Sequence, residues 1–460
     1  MKAQLEDGRI IDFFPEMIGE GATKVVYLSK DRNFVLSFYK NNNNNNQLLR
    51  LQHIINEYNP TIAGSTNNAD YWKQLFCWPT GIIVKPYLGI ITPIYPNNFF
   101  FSTGRWKGLE KKSRWFISPK LRKSLPKEEQ APLINYFKIC ILLARAVRRL
   151  HFAGLAHSDL SDNNVLIDPA SGKMIIIDID SITVPPIFPP LVEGTPGYIA
   201  PEVLANKKFA NIRTDEHALA VLIYEYLLNR HPLRGRQVHS FSSVEEDERL
   251  SMGEKALFIE HPENSSNSPI EPFDIPATAL GSALTTLFYK AFVSGLHAPN
   301  NRPSAYQWEK ALIKTWYLLY PCSNLNCKQQ WFVIRKKQNR IICPFCETPI
   351  KTAFPILKIL NKKLVLQWEL VVYDGQCLLS WHVYDNIYPA EHNNIDKTVQ
   401  AYCVFYQGKW LLINKALTSM ISQGQRVDIN KAVELKVGVQ IQLSQAAHGC
   451  VVEVLNNKFL

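Results

Sequence analysis

Hydrophobic patterning changes texture three times along the 460 residues. Near the amino terminus, period-2 alternation over Phe34-Val35-Leu36-Ser37-Phe38-Tyr39-Lys40 and apolar runs at Gly81 to Lys85 and Gly89 to Tyr95 predict strands of one small sheet. Leu48, Leu51, Ile54, Ile55 and Tyr58 instead follow helical spacing. A basic, irregular stretch from Arg105 to Lys127 leads into a predicted long helix from about Glu128 to His151, stopped by Gly154. The last predicted helix ends near Tyr320. From Leu364 the texture becomes short alternating runs, at 365–373, 378–384, 401–405, 410–414 and 439–443, with Gly375, Gly408, Gly424 and Gly438 between them. Such spacing predicts a small all-β module. The six-asparagine tract Asn41 to Asn46 reads as a surface linker.

Composition narrows the class without naming it. A 46% hydrophobic content over this length supports several cores, about three domains by length alone, and 11% aromatic residues argue against disorder. The net charge of +11 is diluted over a large chain and gives weak support for anionic partners. The opening Met-Lys-Ala-Gln-Leu-Glu-Asp lacks the apolar core of a signal peptide, and no apolar run reaches membrane-spanning length. A soluble cytoplasmic protein is the expectation. Nine cysteines, four of them in a metal-like pattern, fit a reducing compartment better than a disulfide framework.

The chemistry concentrates in His157-Ser158-Asp159-Leu160-Ser161-Asp162-Asn163-Asn164-Val165-Leu166-Ile167-Asp168 and, after a Pro-Ala-Ser-Gly turn, Ile175-Ile176-Ile177-Asp178-Ile179-Asp180. This resembles the catalytic loop and metal-binding segment of the protein kinase superfamily, in which H-x-D-L-x-x-x-N precedes a β-hairpin ending in an acidic residue. Phosphoryl transfer needs a carboxylate that orients and deprotonates the attacking hydroxyl, a role the resemblance gives to Asp159. It also needs an amide and a second carboxylate to hold magnesium on the phosphates of ATP, which are Asn164 and Asp178. A polar turn before a buried strand would use some of the same residue types.

Upstream, Ile18-Gly19-Glu20-Gly21-Ala22-Thr23-Lys24-Val25-Val26-Tyr27 is similar to the glycine-rich hairpin that covers the nucleotide phosphates. Gly19 and Gly21 would let backbone amides approach oxygens closely, with Val26 completing the nucleotide-binding set. The usual lysine of the following strand is missing. Lys40 in that role would bring Phe38 onto the same face and into the adenine site; Ser37 fits the position better, with Val35 as its companion. Lys24 stands where a third glycine is common, and Gly-x-Gly-x-x-Lys-x-Val-Tyr resembles the with-no-lysine kinases. Lys24 is therefore expected to take over the phosphate clamp, with Lys40 the alternative. Glu57, the only carboxylate between Asp31 and Asp70, is the expected ion-pair partner. Adenine is expected at backbone groups near Pro93 to Tyr95.

Further motifs follow in family order. Ser158 replaces an arginine that often pairs with an activation-segment phosphate, Ser161 a lysine that touches the transferred phosphate, and Asp178-Ile179-Asp180 the D-F-G triplet. Gly194-Thr195-Pro196-Gly197-Tyr198-Ile199-Ala200-Pro201-Glu202 resembles the end of an activation segment, with Thr195 steadying Asp159. The prolines before it (Pro185, Pro186, Pro189 and Pro190) favour a stiff, constitutively placed loop. The resemblance also implies that Asp215 anchors the catalytic loop and that Arg302 pairs with Glu202.

Beyond the kinase-like portion, Cys322-x4-Cys327 and Cys343-Pro344-Phe345-Cys346 offer four thiolates with zinc-ribbon spacing, a closed structural site. Arg335-Lys336-Lys337 and Arg340 between them read as a solvated hairpin tip, so nucleic acid is an unlikely partner. Lys409 to Asn414 and Leu435 to Leu443 resemble the later strands of a forkhead-associated domain. No convincing phosphothreonine-reading set accompanies them, and a generic docking module fits equally. This order of modules resembles bacterial kinases linked with a phosphatase and a von Willebrand type A domain protein.

The resulting expectation is an α+β chain: a two-lobed protein-kinase-like fold (1–96 and 97–319), a zinc ribbon (320–352) and a forkhead-associated-like β-sandwich (353–460). Its function would be an ATP- and magnesium-dependent serine/threonine protein kinase acting on protein substrates away from membranes, with structural zinc. Two rivals remain open. One is a nucleotide-binding pseudokinase scaffold, suggested by the departures at Ser37, Ser158, Ser161 and Asp180; the other, weaker, is a nucleic-acid-binding ribbon regulated by the kinase lobe.

Overall fold

The computed structural model describes residues 1–21, 23–40, 45–62, 68–184, 187–190, 194–335, 340–389 and 398–456. Its contacts sort into two compact units, one of residues 1–130, 138–269 and 290–306, the other of 131–137, 270–289 and 307–460.

In the first unit, β1 (Lys2–Leu5), β2 (Ile10–Glu20), β3 (Lys24–Ser29), β4 (Phe34–Tyr39), β5 (Gly81–Lys85) and β6 (Gly89–Pro93) close into a barrel in the order β1-β2-β3-β4-β6-β5. Every pair in it is antiparallel. Alternation decides what each strand shows to either side. Phe13, Leu36, Phe38, Ile83 and Ile91 fill the interior, with the Phe38 ring 5.5 Å from that of Phe13. Ser37 and Tyr39 must then face outward, where Tyr39 packs with Leu51, Ile55, Ile82 and Ile90. Leu51 belongs to α1 (Asn45–Gln52), which continues as a π-helical turn over His53–Glu57. Asn45 and Asn46 therefore open a helix rather than lying in a linker, while 41–44 fall outside the described residues.

The rest of this unit is mainly helical. The helix predicted from Glu128 begins later, as α2 (Leu133–Phe152), because Pro132 has no N–H to extend it backward; Lys127–Glu129 form only a 3-10 turn. A hairpin of β7 (Val165–Asp168) and β8 (Lys173–Ile176) follows. The helix α3 (Ile212–Leu228) is buried from Thr214 to Leu228, so it is mostly apolar around its circumference, and its buried polar residues Asp215, Glu216 and Glu225 are hydrogen-bonded. Its first turn is closed by Asn211, which accepts from the Arg213 amide at 2.8 Å while Thr214 accepts from the Asn211 amide at 2.9 Å.

The second unit carries most of α4 (Ala305–Trp316), which ends before the predicted Tyr320. Tyr320 instead lies in β9 (Leu319–Pro321), paired with β10 (Trp331–Val333). Ten further strands run from β11 (Pro355–Leu360) and β12 (Leu366–Val371) through β13 (Cys377–Leu378), β14 (Ala401–Tyr406), β15 (Lys409–Asn414), β16 (Ile421–Ser422), β17 (Gln425–Arg426), β18 (Ala432–Glu434) and β19 (Gln440–Gln442) to β20 (Val451–Asn456). They form a sheet of six, β12-β11-β20-β19-β16-β17, and one of four, β13-β14-β15-β18. The strand expected over 378–384 is cut short by a helical turn at Ser380–Val383. There the His382 Nδ1 accepts from the Leu379 amide at 2.8 Å, and the Trp381 indole donates to the Tyr317 hydroxyl at 2.7 Å.

Candidate active site

Asp215 organises the catalytic loop. Its carboxylate accepts from the backbone amides of His157 at 2.7 Å and Ser158 at 3.0 Å, and this grip holds Ser158 in the left-handed region at φ 69°. Beyond the bend, Asn164 donates its side-chain amide to the Asp159 carboxylate at 2.9 Å and to the Asp159 carbonyl at 2.8 Å. Thr195 donates to the other Asp159 oxygen at 2.7 Å. Asp159 is thus fixed from two sides, and the Asn164 carbonyl oxygen stays available as a ligand. The Asn164 backbone carbonyl accepts from the Ile177 amide at 3.0 Å, which ties the hairpin strand to the loop next to Asp178. Asp178 itself turns the chain at φ 63°.

Cross-strand pairing explains which residues of the barrel reach this acidic turn. Lys24 opposes Tyr39 and Val26 opposes Ser37, so these four side chains share one face. The Lys24 ammonium contacts Asp178 and lies 2.9 Å from Asp180, and the Tyr39 hydroxyl donates to Asp180. Burial is the strongest influence on Lys24 and would lower its pKa. The charges of Asp180 and Asp178 outweigh it and hold the pKa above the ordinary value. For Asp180, burial pulls upward, but Lys24 and the Tyr39 hydroxyl keep the carboxyl below its usual range. The two carboxylates exceed the single ammonium by one negative charge, a setting that favours a divalent cation.

Several expected placements are corrected here. Glu57 does not meet Lys24: it pairs with His53 at 2.7 Å, one helical turn away and more than half exposed. Asp180, read from sequence only as a lost glycine, takes that place. Lys40 pairs with Glu20 at 2.7 Å: it has the parity opposite to that of Tyr39 and lies just past the end of β4, where the chain leaves the barrel. Tyr39, not Ser37, is the β4 residue that reaches the acidic pair. From α1, the Gln47 side chain hydrogen-bonds Tyr39, and the charge of the buried Arg50 feels Tyr39 and Asp180. Gly19 pairs with Val26, and the Gly21 amide closes the hairpin on the Lys24 carbonyl at 2.9 Å; Ala22 at its tip lies outside the described residues.

The segment after Asp180 is held at separate points. The Ser158 and Thr183 hydroxyls bond to each other, so Ser158 has an internal partner where an arginine would seek a phosphate. Arg50 donates to the Pro189 carbonyl and lies 5.4 Å from the Phe188 ring; Pro185 and Pro186 are outside the described residues. Ser161 is buried, and its hydroxyl lies 3.1 Å from that of Thr195, to which it can donate while Thr195 donates to Asp159. Gly194 has φ 107°, and a Cβ there would sit 3.8 Å from the Asp159 carboxylate and 3.1 Å from Ile199. Arg302 forms a two-pronged pair with Glu202, both contacts 2.7 Å.

In the second unit, the sulfurs of Cys322, Cys327, Cys343 and Cys346 all lie within 4.8 Å of one another. The Cys322–Cys346 and Cys327–Cys343 separations are 3.5 and 3.9 Å. A tetrahedron with metal–sulfur bonds of about 2.3 Å has edges of about 3.8 Å, so the donor set fits zinc in size and chemistry. Cys327 and Cys343 join Phe332, Ile334, Phe354, Ile356 and Val371 in one core, which couples the thiolate knuckles to the six-stranded sheet.

A barrel bearing a lysine over an acidic turn, beside an anchored Asp-Asn loop, is the arrangement expected from the resemblance to protein kinases. Residues 119–310 match the family model of the protein kinase domain. The CBL-interacting serine/threonine-protein kinase 19 of Arabidopsis thaliana is 33% identical over 125 residues, 26% of this chain and 24% of that protein. PknD of Chlamydia felis is 30% identical over 151 residues (27% and 16%), and human serine/threonine-protein kinase D3 is 36% identical over 103 residues (22% and 11%). A solved Toxoplasma gondii rhoptry antigen kinase domain is similar at 12% identity and a TM-score of 0.42, covering 68% of this chain and 85% of that one. Residues 119–310 thus carry a protein kinase domain, and the chain spans about a quarter or less of the length of these curated relatives.

Proposed function

We propose that the protein is an ATP- and magnesium-dependent serine/threonine protein kinase. The observation that carries this reading is the convergence of Lys24 on Asp178 and Asp180 beside an Asp159 fixed by Asn164 and Thr195. When bound, magnesium ATP supplies the phosphoryl group and neutralises charge on it. Asn164 and Asp178 would hold the ion, and Gly19, Gly21 and Val26 would cover the nucleotide. Lys24, held ready by Asp180 and Tyr39, contributes the positive charge that binds phosphate oxygens. Asp159 accepts the proton of the attacking hydroxyl, and Thr195 and Asn164 keep its carboxylate aimed.

Three of the four departures that suggest a scaffold have uses: Asp180 anchors Lys24, Ser161 braces Thr195 and Ser158 bonds Thr183. The division 1–96, 97–319, 320–352 and 353–460 belongs to the same proposal, with a structural zinc at the four cysteines and a forkhead-associated-like docking module after it. Lys336 and Lys337 of the basic hairpin tip lie outside the described residues. The phosphatase and von Willebrand partners rest on module order alone. Among the described residues no helix is long and apolar enough to cross a membrane, which fits the proposed cytoplasmic site of action. Incubation with γ-labelled ATP, magnesium and a mixed protein substrate should give labelled phosphoserine or phosphothreonine with wild type and none with Asp159→Ala; equal labelling by both would reject the reading.

A further inference from the structure

We infer that the acceptor segment of the substrate is acidic, with carboxylates that dock on Arg114, bonded to the loop that carries Asp159, and on Arg234, beside the activation segment. This rests on the kinase reading and names a substrate class for it. Arg114 opens a short helical turn, Arg114–Ile117, pinned to the catalytic loop: its amide bonds the Asp162 carbonyl at 3.3 Å and the neighbouring Ser113 hydroxyl bonds the same carbonyl at 3.2 Å. Its guanidinium is exposed and donates to the neutral side chain of Asn163 at 3.1 Å, next in sequence to Asn164. A full positive charge thus stands on the loop that carries Asp159.

Arg234 stands by the activation segment. Its Nη2 lies 3.4 Å from where a Cβ on Gly197 would be, two residues past Thr195, and His231 fixes the same backbone through the Gly197 carbonyl at 2.8 Å. Burial holds His231 down to about 4, so at neutral pH the cation there is Arg234. Arg234 does pair with Glu248 at 2.8 Å, but both side chains are exposed, and such a pair exchanges readily for a ligand carboxylate. Both arginines and Lys112 act on Asp162, though burial still holds its carboxyl above the ordinary range.

The charge extends outward from Arg114. Between Arg105 and Lys127 the sequence holds nine basic residues against the single acid Glu110. Lys111 is consumed internally by Glu129 at 2.6 Å, whereas Lys120, Lys123 and Lys127 are exposed. An acidic polypeptide is favoured over nucleic acid because one arginine is bonded to the loop that carries Asp159 and the other adjoins Gly197, two residues past the Thr195 that holds Asp159, the region a peptide must reach for transfer. Complementary charge of this kind selects partners and speeds their encounter.

The test compares fluorescent serine peptides flanked by Asp and Glu, by neutral residues, or by Lys and Arg. Binding is read by anisotropy without ATP, so it reports docking whether or not transfer occurs. Wild type should bind the acidic peptide about tenfold or more tighter than the neutral one, with the gap closing as salt rises. Arg114→Glu with Arg234→Glu should abolish or invert the preference, and Lys120→Glu with Lys123→Glu should weaken it by a smaller factor, with thermal melts confirming that both variants fold. Equal binding of the three peptides, a preference surviving the double reversal, or a single-stranded oligonucleotide displacing the acidic peptide equally well at matched charge would overturn the inference. Loss of phosphoryl transfer with the binding preference intact would instead count against the kinase reading.

Discussion

Lys24 of the glycine-rich hairpin meets Asp180, 156 positions further along, at 2.9 Å. The pair joins the barrel to the acidic turn with no contribution from the only carboxylate of α1's continuation, Glu57. A lysine placed by a strand and fixed by the acidic turn itself does not depend on helix movement to be aligned.

Asp180→Ala should therefore raise the apparent Kd for ATP about tenfold and lower kcat, because the Lys24 ammonium loses its buried partner. Glu57→Ala should leave both within about twofold, as expected of an exposed pair with His53. Nucleotide titration followed by steady-state kinetics checks both values.

Thr195→Ala should reduce kcat about tenfold while leaving the ATP affinity unchanged, since Thr195 touches Asp159, the proposed base, and not Lys24. Thr195→Ser should recover most of the loss. A matched fall in ATP affinity would show that Thr195 acts through the nucleotide pocket instead.

Glu225 is buried, and burial lifts its carboxyl to about 8 even though Tyr198 donates to it at 2.7 Å. Folding takes up a proton between the ordinary value of 4.5 and that raised value, so this group makes stability fall as pH rises through the interval. Relative to wild type, Glu225→Gln should gain stability steadily from pH 5 to 8. Urea midpoints across that range provide the readout, and parallel curves would contradict the assignment.

Removing the metal should act on the second unit. Cys343→Ser should drop bound zinc from about one equivalent to little, and should lower the melting temperature by several degrees, because Cys343 shares its core with Phe332, Phe354 and Ile356. Metal analysis beside a thermal melt tests this.

Much of this site is readable from sequence because the chemistry fixes spacing along the chain: Asp159 with Asn164, Asp178, Thr195, Asp215 and the Glu202–Arg302 pair are each local motifs with a stated partner. What spacing cannot supply is parity on a closed barrel. Phe38 points inward because six strands close on one another, and this sends Tyr39 and Lys24 to the acidic turn and Lys40 to the surface. The isolation of Glu57 in the sequence points to the helix for the partner of Lys24, whereas the paired-carboxylate signal is Asp180, which follows Asp178 by two residues. In the β-rich portion, the helical turn at Ser380–Val383 depends on buried aromatic contacts of Trp381 and His382 that alternation does not reveal.

The most direct measurement compares Lys24→Met with Lys40→Met in phosphoryl transfer from labelled ATP, with folding verified for each. Lys24→Met should lose about a hundredfold or more, as expected when a charge facing the transferred group is removed, while Lys40→Met stays within a fewfold of wild type. A silent Lys24→Met beside an inactive Lys40→Met would contradict the account.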